Sequence, residues 1–436
     1  MTKLNIKPAV VVAYYGGADV LEQLCQRGFE PVRIQLAGHD KTNQFLKHYL
    51  NSNNRSKTET IIQVEGQSIS SLAHQLRELG VTHIIPADEA GVAISDLLCE
   101  ELGLPFNGMA LSNARRNKSL MHKQIDSKGI RIPLQTTATS SSDVILWMQE
   151  KNLEFPVVIK PLDGAGSAGV TKCFCIEDIH TAFDVIAQIL SKKNTVISVA
   201  NAVIAQEFLQ GTEYVVDTVS LNGTHKLTDI WRCKKGAHNN SAFVYEYFDL
   251  IDENDTVCSR LFDYAKSVLD ALDIKVGPGH LEIYMQHDTT PILVEIGSRL
   301  GGPRMPFGTA PCVESLKAQT EYTLDAYVEP EKFHDKWDLG YKKTKHSRMM
   351  FLINYENAIC SDINQAVLSK IRQLSSYHHE EFAVTKDDKL KKTVDVRSSP
   401  GFIYLIHDDK RQIERDYQEI RYLENSLFQT AVLHPL

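Results

Sequence analysis

The chain has 436 residues, of which 43% are hydrophobic and 23% are charged, and its formal net charge is -8 at pH 7. This length and composition predict a folded protein of about three structural units. The basic residues are scattered rather than gathered in a stripe, which argues against a nucleic-acid partner. The N-terminal stretch lacks the apolar run of a signal peptide, and no stretch is long enough for a membrane helix. Eight cysteines without CxxC spacing predict reduced thiols in a cytoplasmic protein.

Apolar strands alternate with amphipathic helices in the first quarter of the chain. The strands are PAVVVAYYGG, PVRIQLAG and THIIPA, and the helices are DVLEQLCQRG and residues 70–79 and 89–102. Such alternation predicts a parallel sheet with helices on both faces. The asparagine-rich stretch NQFLKHYLNSNNRSKTE interrupts the pattern, and we expect it to form a surface loop.

The pattern changes after residue 155, where strands follow one another with few helices between them. The strands are PVVIKP, GVTKCFCI, VIAQEFL, EYVVDTVSLNG, LTDIWRCK and AFVYEYF. Successive strands without crossover helices predict antiparallel pairing and an α+β unit. A third segment follows residue 327, with the strands SRMMFLINYE and GFIYLIHDD and a final amphipathic helix that begins near Lys410.

The stretch VVIKPLDGAGSAGV joins a strand that ends at Lys160 to a loop with three glycines. Gly164, Gly166 and Gly169 have no Cβ and can take positive φ, so the backbone amides of this loop can close around an anion. A lysine at the end of the strand adds a cation to the same place. The pattern is that of a phosphate-binding loop, although glycine loops beside a lysine also occur where the chain only turns a corner.

A second motif, HLEIYMQHDTTPILVEIGSRLGG, predicts a hairpin of two strands joined at HDTT. If the turn is centred between Asp288 and Thr289, Glu282 lies opposite Glu295, with Cβ atoms about 5 Å apart. Like charges this close destabilise a sheet unless a cation lies between them, and Mg²⁺ binds one or two carboxylates together with substrate phosphates. The alternative is an exposed hairpin whose glutamates meet solvent, and a register slip of one residue would break the pairing.

Two arginines flank the glycine turn that follows this hairpin. Arg299 and Arg304 lie in the sequence GSRLGGPR. Arginine is permanently charged and binds phosphate or carboxylate through two hydrogen bonds. Beside a metal-phosphate site, the two side chains become candidates for stabilising the charge that develops in phosphoryl or acyl transfer, whereas elsewhere they would be ordinary surface residues.

Four stretches occur in the order typical of one superfamily: NKSLMHK, VVIKPLDGAGSAGV, AQEFLQGTEYVVD and HLEIYMQHDTTPILVEIGSRLGG. Through them the sequence resembles the ATP-grasp carboxylate-amine ligases between about residues 110 and 310. The resemblance implies an ATP-grasp fold, mixed α/β and α+β, with ATP bound between two α+β subdomains. It divides the chain into a Rossmann-like pre-ATP-grasp domain at 1–110, a small subdomain with the phosphate loop at 111–205, a large subdomain with the metal site at 206–327 and a C-terminal α+β lobe at 328–436.

The resemblance also implies which residues bind the nucleotide. Lys118 and Lys160 would hold the ATP phosphates. The loop that would close over the phosphates contains Gly164, Ala165, Gly166, Ser167 and Gly169. The hinge that would contact the adenine contains Glu207, Phe208 and Leu209, and Glu213 would lie near the ribose.

For the reaction itself, the resemblance implies that Glu282 and Glu295 bind Mg²⁺, with Mn²⁺ as a substitute. Arg299, with Arg304 after it, would stabilise the acyl phosphate and the tetrahedral intermediate. The family usually has asparagine two residues after the second glutamate, where this chain has Gly297. One protein ligand for the metal is therefore missing, and the number of metal ions stays open.

Within the superfamily, LTDIWRCKKG, EIGSRLGG and SPGFIYLIHDDKRQIERDYQEIRYLE resemble the branch of bacterial L-amino acid (dipeptide) ligases. This implies small-molecule substrates, namely a carboxylate that is an amino acid or another small acid, and the amine of an L-amino acid. Candidate substrate contacts are Lys234, Lys235, His238 and Arg304. Two alternatives stay open: a ligase that uses bicarbonate or a purine-pathway ribonucleotide, and a regulator that binds ATP without turnover. The oligomeric state is open as well, with a homodimer the commonest soluble assembly.

Overall fold

A computed structural model describes residues 6–12, 17–36, 60–162, 169–191, 202–287, 290–302, 305–334 and 341–431. Four sequence predictions fall outside these residues: the asparagine-rich loop, the phosphate-loop residues Gly164, Ala165, Gly166 and Ser167, the turn centred between Asp288 and Thr289, and Arg304. None of the helices in the described ranges has the length and apolar character that a membrane crossing requires.

The first sheet is parallel, as predicted, and contains β1 (Pro8–Val12), β2 (Val32–Gln35), β3 (Thr60–Gln63) and β4 (His83–Pro86). Helix α1 (Gly17–Gln26) packs with Val10 on one face, and helices α2 (Ile69–Glu78) and α3 (Glu89–Leu102) pack with Ala9 and Val11 on the other. The strand order is β3-β2-β1-β4, so the chain leaves β1 toward one edge and later returns to the other side of β1. Open α/β sheets bind ligands at the carboxyl ends of the strands beside such a reversal.

Helix α3 begins and ends where the sequence predicted. The Asp88 side chain accepts a hydrogen bond from the backbone N–H of Gly91, which caps the first turn. Gly103 ends the helix with a φ of +66°, a left-handed conformation that glycine adopts without steric cost. Because α3 follows β4 directly, its first residue, Glu89, lies at the carboxyl end of that strand.

The second sheet is antiparallel, with the order β5-β8-β6-β7. Its strands are β5 (Gln135–Ala138), β6 (Val157–Pro161), β7 (Thr171–Cys173) and β8 (Val203–Glu207). The helices in this part of the chain are α4 (Lys118–Asp126), α5 (Ser141–Glu150) and α6 (Ile176–Ser191). Strand β7 is shorter than predicted, because Phe174 donates its backbone N–H to Asp178 Oδ2 (2.7 Å) in the first turn of α6 and leaves the sheet. Cys175 consequently lies beyond the strand and does not share a strand face with Cys173.

The third sheet is antiparallel and has eight strands in the order β13-β12-β9-β10-β11-β14-β18-β16. They are β9 (Thr212–Leu221), β10 (Thr224–His238), β11 (Ser241–Leu250), β12 (Gly277–Met285), β13 (Pro291–Gly297), β14 (His346–Phe351), β16 (Tyr377–Phe382) and β18 (Gly401–His407). Helix α7 (Thr256–Ala271) buries Leu261, Ala265 and Leu269 against it. Three short helices follow β13: α8 (Pro306–Thr309), α9 (Gln319–Val328) and α10 (Pro330–Phe333).

The last part of the chain adds a three-stranded sheet of β15 (Ala358–Ile363), β17 (Lys389–Leu390) and β19 (Phe428–Ala431). Helices α11 (Gln365–Arg372) and α12 (Lys410–Leu423) pack between this sheet and the third sheet. Helix α12 buries Ile413, Tyr417 and Ile420, so the predicted amphipathic helix from Lys410 is confirmed. The mixed α/β and α+β fold class is confirmed with it.

Candidate active site

The hairpin of β12 and β13 brings two glutamates together, as predicted. Glu282 is the direct cross-strand partner of Glu295. The register nearer the turn differs from the prediction, because Ile283 pairs with Leu293 and leaves Val294 as an extra residue on β13. This β-bulge brings Glu295 opposite Glu282. The assumption of a constant register along the hairpin was therefore wrong, although the predicted pair is correct.

The two carboxylates lie in different electrostatic environments. Burial raises the pKa of Glu282 to about 7, and repulsion from Glu295 acts in the same direction. Burial would also raise the pKa of Glu295, but attraction to Lys118 and Lys160 outweighs it and lowers the pKa. Lys118 Nζ lies 2.6 Å from Glu295 Oε2. Glu295 is therefore held ionised, and Glu282 lies beside it as a second oxygen donor.

Three lysines from separate elements converge on these carboxylates. Lys118 is the first residue of α4, and Asn117 caps that helix by accepting hydrogen bonds from the next two backbone N–H groups after Lys118. Lys160 comes from β6. Lys235 comes from β10, with its Nζ 2.8 Å from Glu213 Oε1; burial opposes its charge, but the ion pair with Glu213 raises its pKa. The three cations are thus fixed by one helix start and two strands.

Lys160 is the lysine whose charge is least compensated. It is 5% exposed, and burial together with repulsion from Lys118 lowers its pKa to about 8. Within the described residues it makes no ion pair with a carboxylate. An anion from outside the protein would stabilise a buried ammonium in this situation. The burial of Lys160 without an ion-pair partner among the residues that the structure describes is therefore the observation that makes the site suitable for a phosphate group.

These groups line one cleft between the second and third sheets. The cleft contains about 770 Å³ of empty space when the solvent in its open mouth is included. Its apolar lining includes Val158, Val170, Leu209, Phe243 and Val294, and its charged lining includes Lys118, Lys160, Lys235, Glu213, Glu282 and Glu295. Apolar surface beside three lysines suits a ligand that carries both an apolar group and an anionic group.

Most of the predicted site residues that the structure describes line the cleft. The predicted hinge residues Glu207, Phe208 and Leu209 line it, as does Glu213. Of the phosphate loop, Gly169 is described, with a φ of +76°. Lys235, predicted to contact a substrate, lies in the same cleft beside Glu213. Lys234 is exposed, and His238 binds Glu246 and Tyr355 outside the cleft.

Sequence reasoning missed seven lining residues: the polar or aromatic Gln206, Phe243 and Tyr284, and the apolar Val158, Pro161, Val170 and Val294. Tyr284 could have been found, because it lies two residues after Glu282 on the same strand and so faces the same side of the sheet. Gln206 and Phe243 carried no such signal. Their strands reach the cleft through pairing across the sheets, which the local sequence does not encode.

The segment between β8 and β9 positions the hinge residues. Glu207 Oε1 accepts a hydrogen bond from the backbone N–H of Leu134 at 2.8 Å, and Lys172 Nζ lies 3.5 Å from the centroid of the Phe208 ring. The Glu207 carboxylate therefore fastens the hinge to the second sheet. Gly211 follows with a φ of +140°, and a Cβ there would clash with the carbonyl oxygen of Met285.

We expect Gly211→Ala to lower the unfolding temperature and to weaken nucleotide binding. Alanine there must adopt a strained backbone, at about 1–3 kcal/mol, and must also displace the end of β12. Gly223→Ala is the matched control, since Gly223 has a φ of +78° with open space around it and tests strain without a clash. Thermal melts of both variants should show the larger loss at Gly211, and equal losses would contradict this account.

Arg299 lies beside the paired glutamates, two residues after β13. Its Nε lies 3.3 Å from Glu89 Oε2, and its Nη1 donates to the carbonyl oxygen of Leu300 at 2.8 Å. Its positive charge contributes to the lowered pKa of Glu295. The chain order GSRLGG therefore brings a guanidinium to the carboxylates.

The side chains near the hairpin include two that can bind the Mg²⁺ that the sequence implied. In the described part of the chain, no three His, Cys, Asp or Glu side chains form a group that could hold a metal ion. Two carboxylates remain at the hairpin, and Gly297 adds no ligand. Two is nevertheless the usual protein contribution to Mg²⁺ when substrate phosphates and water complete its coordination, so the residues fit this ion.

Comparison with known proteins identifies a domain and a full-length relative. Residues 153–306 match the ATP-grasp domain family. Over 443 aligned residues the chain is 29% identical to dapdiamide A synthase of Enterobacter agglomerans, covering 99% of this chain and 100% of that protein. The chain contains an ATP-grasp domain and resembles the carboxylate-amine ligases. The ATP-grasp domain implies that the protein binds ATP.

Two further similarities agree with this assignment. The chain is 25% identical to an L-arginine-specific L-amino acid ligase of Bacillus subtilis over 238 residues, which are 54% of this chain and 55% of that protein. Its fold matches the crystal structure of an L-amino acid ligase from Bacillus licheniformis with a TM-score of 0.77 at 15% identity, covering 98% and 99% of the two chains. The ATP-grasp fold is thereby confirmed.

Proposed function

We propose that this ATP-grasp ligase joins the carboxylate of an amino acid or related small acid to the amine of an L-amino acid, forming an amide bond through an acyl phosphate. The observation that carries the proposal is the cleft in which paired Glu282 and Glu295 lie against Lys118 and Lys160. Such a set of charges suits phosphoryl transfer. The full-length similarity to dapdiamide A synthase supports an acid and an amine as substrates.

ATP is proposed to bind along the whole cleft. Its adenine would lie on the apolar lining beside the hinge, with the ribose near Glu213. Its phosphates would meet Lys118 and Lys160, and Lys235 adds a third cation close to the ribose contact. The weak compensation of the Lys160 charge supports this orientation, because a triphosphate supplies further negative charge.

Glu282 and Glu295 would hold Mg²⁺, or Mn²⁺ in its place. The bound ion would neutralise charge on the phosphates during transfer. Lys118 has two tasks in this arrangement: it keeps Glu295 ionised and in place through the ion pair at 2.6 Å, and it lies beside the phosphates.

The chemistry proceeds in two displacements. An oxygen of the donor carboxylate attacks the terminal phosphorus of ATP, and ADP leaves with the electrons of the broken P–O bond. The amine nitrogen of the second substrate then attacks the carbonyl carbon, loses a proton, and expels phosphate, which carries one former carboxylate oxygen. Arg299 is proposed to stabilise the negative charge that develops on the acyl phosphate and on the tetrahedral intermediate.

The test is a screen of phosphate release from ATP and Mg²⁺ with each L-amino acid, singly and in all pairs, followed by mass spectrometry. We expect release to require a particular pair, with a product lighter than the two substrates together by one water. The same mixtures without ATP are the control. Release with bicarbonate or a ribonucleotide, and with no amino acid, would overturn the proposed substrate class.

A further inference from the structure

Glu89 lies where the first sheet meets the catalytic cleft. It is the first residue of α3, at the carboxyl end of β4, and the strand order of the first sheet reverses between β1 and β4. Ligands of open α/β sheets bind in the crevice at such a reversal. The third sheet brings Arg299 to the same crevice, with its Nε 3.3 Å from Glu89 Oε2. Glu89 also acts electrostatically on Lys118, the partner of Glu295, so the crevice adjoins the cleft.

Gly297 leaves the space in which this ion pair lies. A Cβ at Gly297 would be 3.0 Å from Glu89 Oε2 and 3.0 Å from Arg299 Nε, both tighter than ordinary van der Waals contact. A larger side chain would therefore displace the pair. Gly297 thus lacks a side chain that could bind the metal, and its small size leaves room for the Glu89 carboxylate to contact Arg299.

The Glu89 carboxylate is available to a ligand. Its side chain is 31% exposed, and among the described residues Arg299 is its one ion-pair partner. That contact involves Oε2, which leaves Oε1 open to another donor. An ion pair this exposed contributes little to stability, so a ligand can separate its members at small cost.

We propose that Glu89 binds an amino group of the amino-acid substrates while Arg299, beside it, binds the reacting carboxyl group; this rests on the proposed function. A carboxylate next to a guanidinium is complementary to the ammonium and carboxylate that an amino acid carries on one carbon. The amino group belongs either to the activated acid or to the attacking amino acid, since both must lie beside the same carbonyl carbon. Bicarbonate offers no such group, so Glu89 selects for amino acids.

The experiment compares Glu89→Gln with the wild-type enzyme, because glutamine keeps the shape of the side chain and removes its charge. Hydroxylamine replaces the attacking amino acid and traps the acyl phosphate as a hydroxamate. The donors are the amino acid identified by the pair screen and its deaminated counterpart, for example L-alanine and propionate. The reactions are run below saturation, and KM for the attacking amino acid is measured separately.

Two results would support the proposal and identify the amino group. If Glu89 binds the donor, Glu89→Gln lowers hydroxamate formation from the amino acid about 10- to 100-fold, as expected for a lost hydrogen bond to a charged group, and leaves the deaminated acid unchanged. If Glu89 binds the attacking amino acid, hydroxamate formation is unchanged with both donors, and KM for that amino acid rises about 10- to 100-fold.

Glu100→Gln, an exposed position near the other end of α3, is the matched control and should behave as wild type. The proposal is overturned if Glu89→Gln stays within about twofold of wild type in every assay, or if it slows the amino acid and the deaminated acid equally, which would mean that Glu89 only holds Arg299 in place. A different result would contradict the proposed function itself: the wild-type enzyme would bind ATP but release no phosphate with any amino acid.

Discussion

Glu295→Ala should reduce ADP formation by about three orders of magnitude, the scale expected when a group that acts on transition-state charge is removed. Glu295 is the carboxylate held ionised by Lys118 and Lys160, and it is proposed to hold the metal against the phosphates. Its loss also removes the carboxylate that lies 2.6 Å from the Lys118 ammonium. Chromatography of ADP under saturating ATP and Mg²⁺ measures the effect.

Stability must be separated from catalysis in this variant. Removing one member of a buried ion pair leaves the other uncompensated, at a cost of about 3–5 kcal/mol. Glu295→Gln keeps a hydrogen-bond acceptor for Lys118 and should melt closer to wild type while remaining as inactive as Glu295→Ala. Glu150→Ala, at an exposed helix end, is the control for an ordinary lost glutamate. Near-normal turnover in the Glu295 variants, with the fold intact, would refute the metal assignment.

Arg299→Ala should lower kcat by about 100- to 1,000-fold and change KM for ATP by only a few-fold. The guanidinium acts electrostatically on Glu295, and its charge is proposed to act on the acyl phosphate and the tetrahedral intermediate rather than on bound ATP. Steady-state kinetics with varied ATP separates the two parameters.

Arg299→Lys is the companion variant, since it keeps the positive charge and loses the second hydrogen bond. We expect it to recover part of kcat. A rise in KM for ATP with kcat preserved would make Arg299 a nucleotide-binding residue, and the proposed role in the second displacement would then be wrong.

The hairpin shows which structural features the local sequence can predict and which it cannot. Alternating apolar residues and the turn signal HDTT predicted two strands, and the pair of Glu282 and Glu295 is confirmed. The bulge at Val294 was not predicted, because it depends on how β13 packs at the edge of the third sheet and on the cleft that Val294 lines. The predicted pair of Glu282 and Glu295 is therefore correct, although the predicted register does not hold between this pair and the turn.

Residues that reach the site from distant elements were harder to place. Lys235 faces Glu213 because β10 lies next to β9, and the bulge after Lys234 in the pairing with β11 has no counterpart in the local pattern. Glu89 contacts Arg299 across 210 positions of sequence. Its signal was the reversal of strand order in the first sheet, which becomes visible only once the order of the strands is known.

Transfer of ¹⁸O from the donor carboxylate tests the central claim most directly. The donor acid, labelled in both carboxylate oxygens, is incubated with ATP, Mg²⁺ and the amine partner, and the released phosphate and the product are analysed by mass spectrometry. An acyl phosphate predicts one labelled oxygen in the phosphate and one in the amide. Label in AMP, or phosphate without label alongside amide formation, would contradict activation of the carboxylate by phosphoryl transfer.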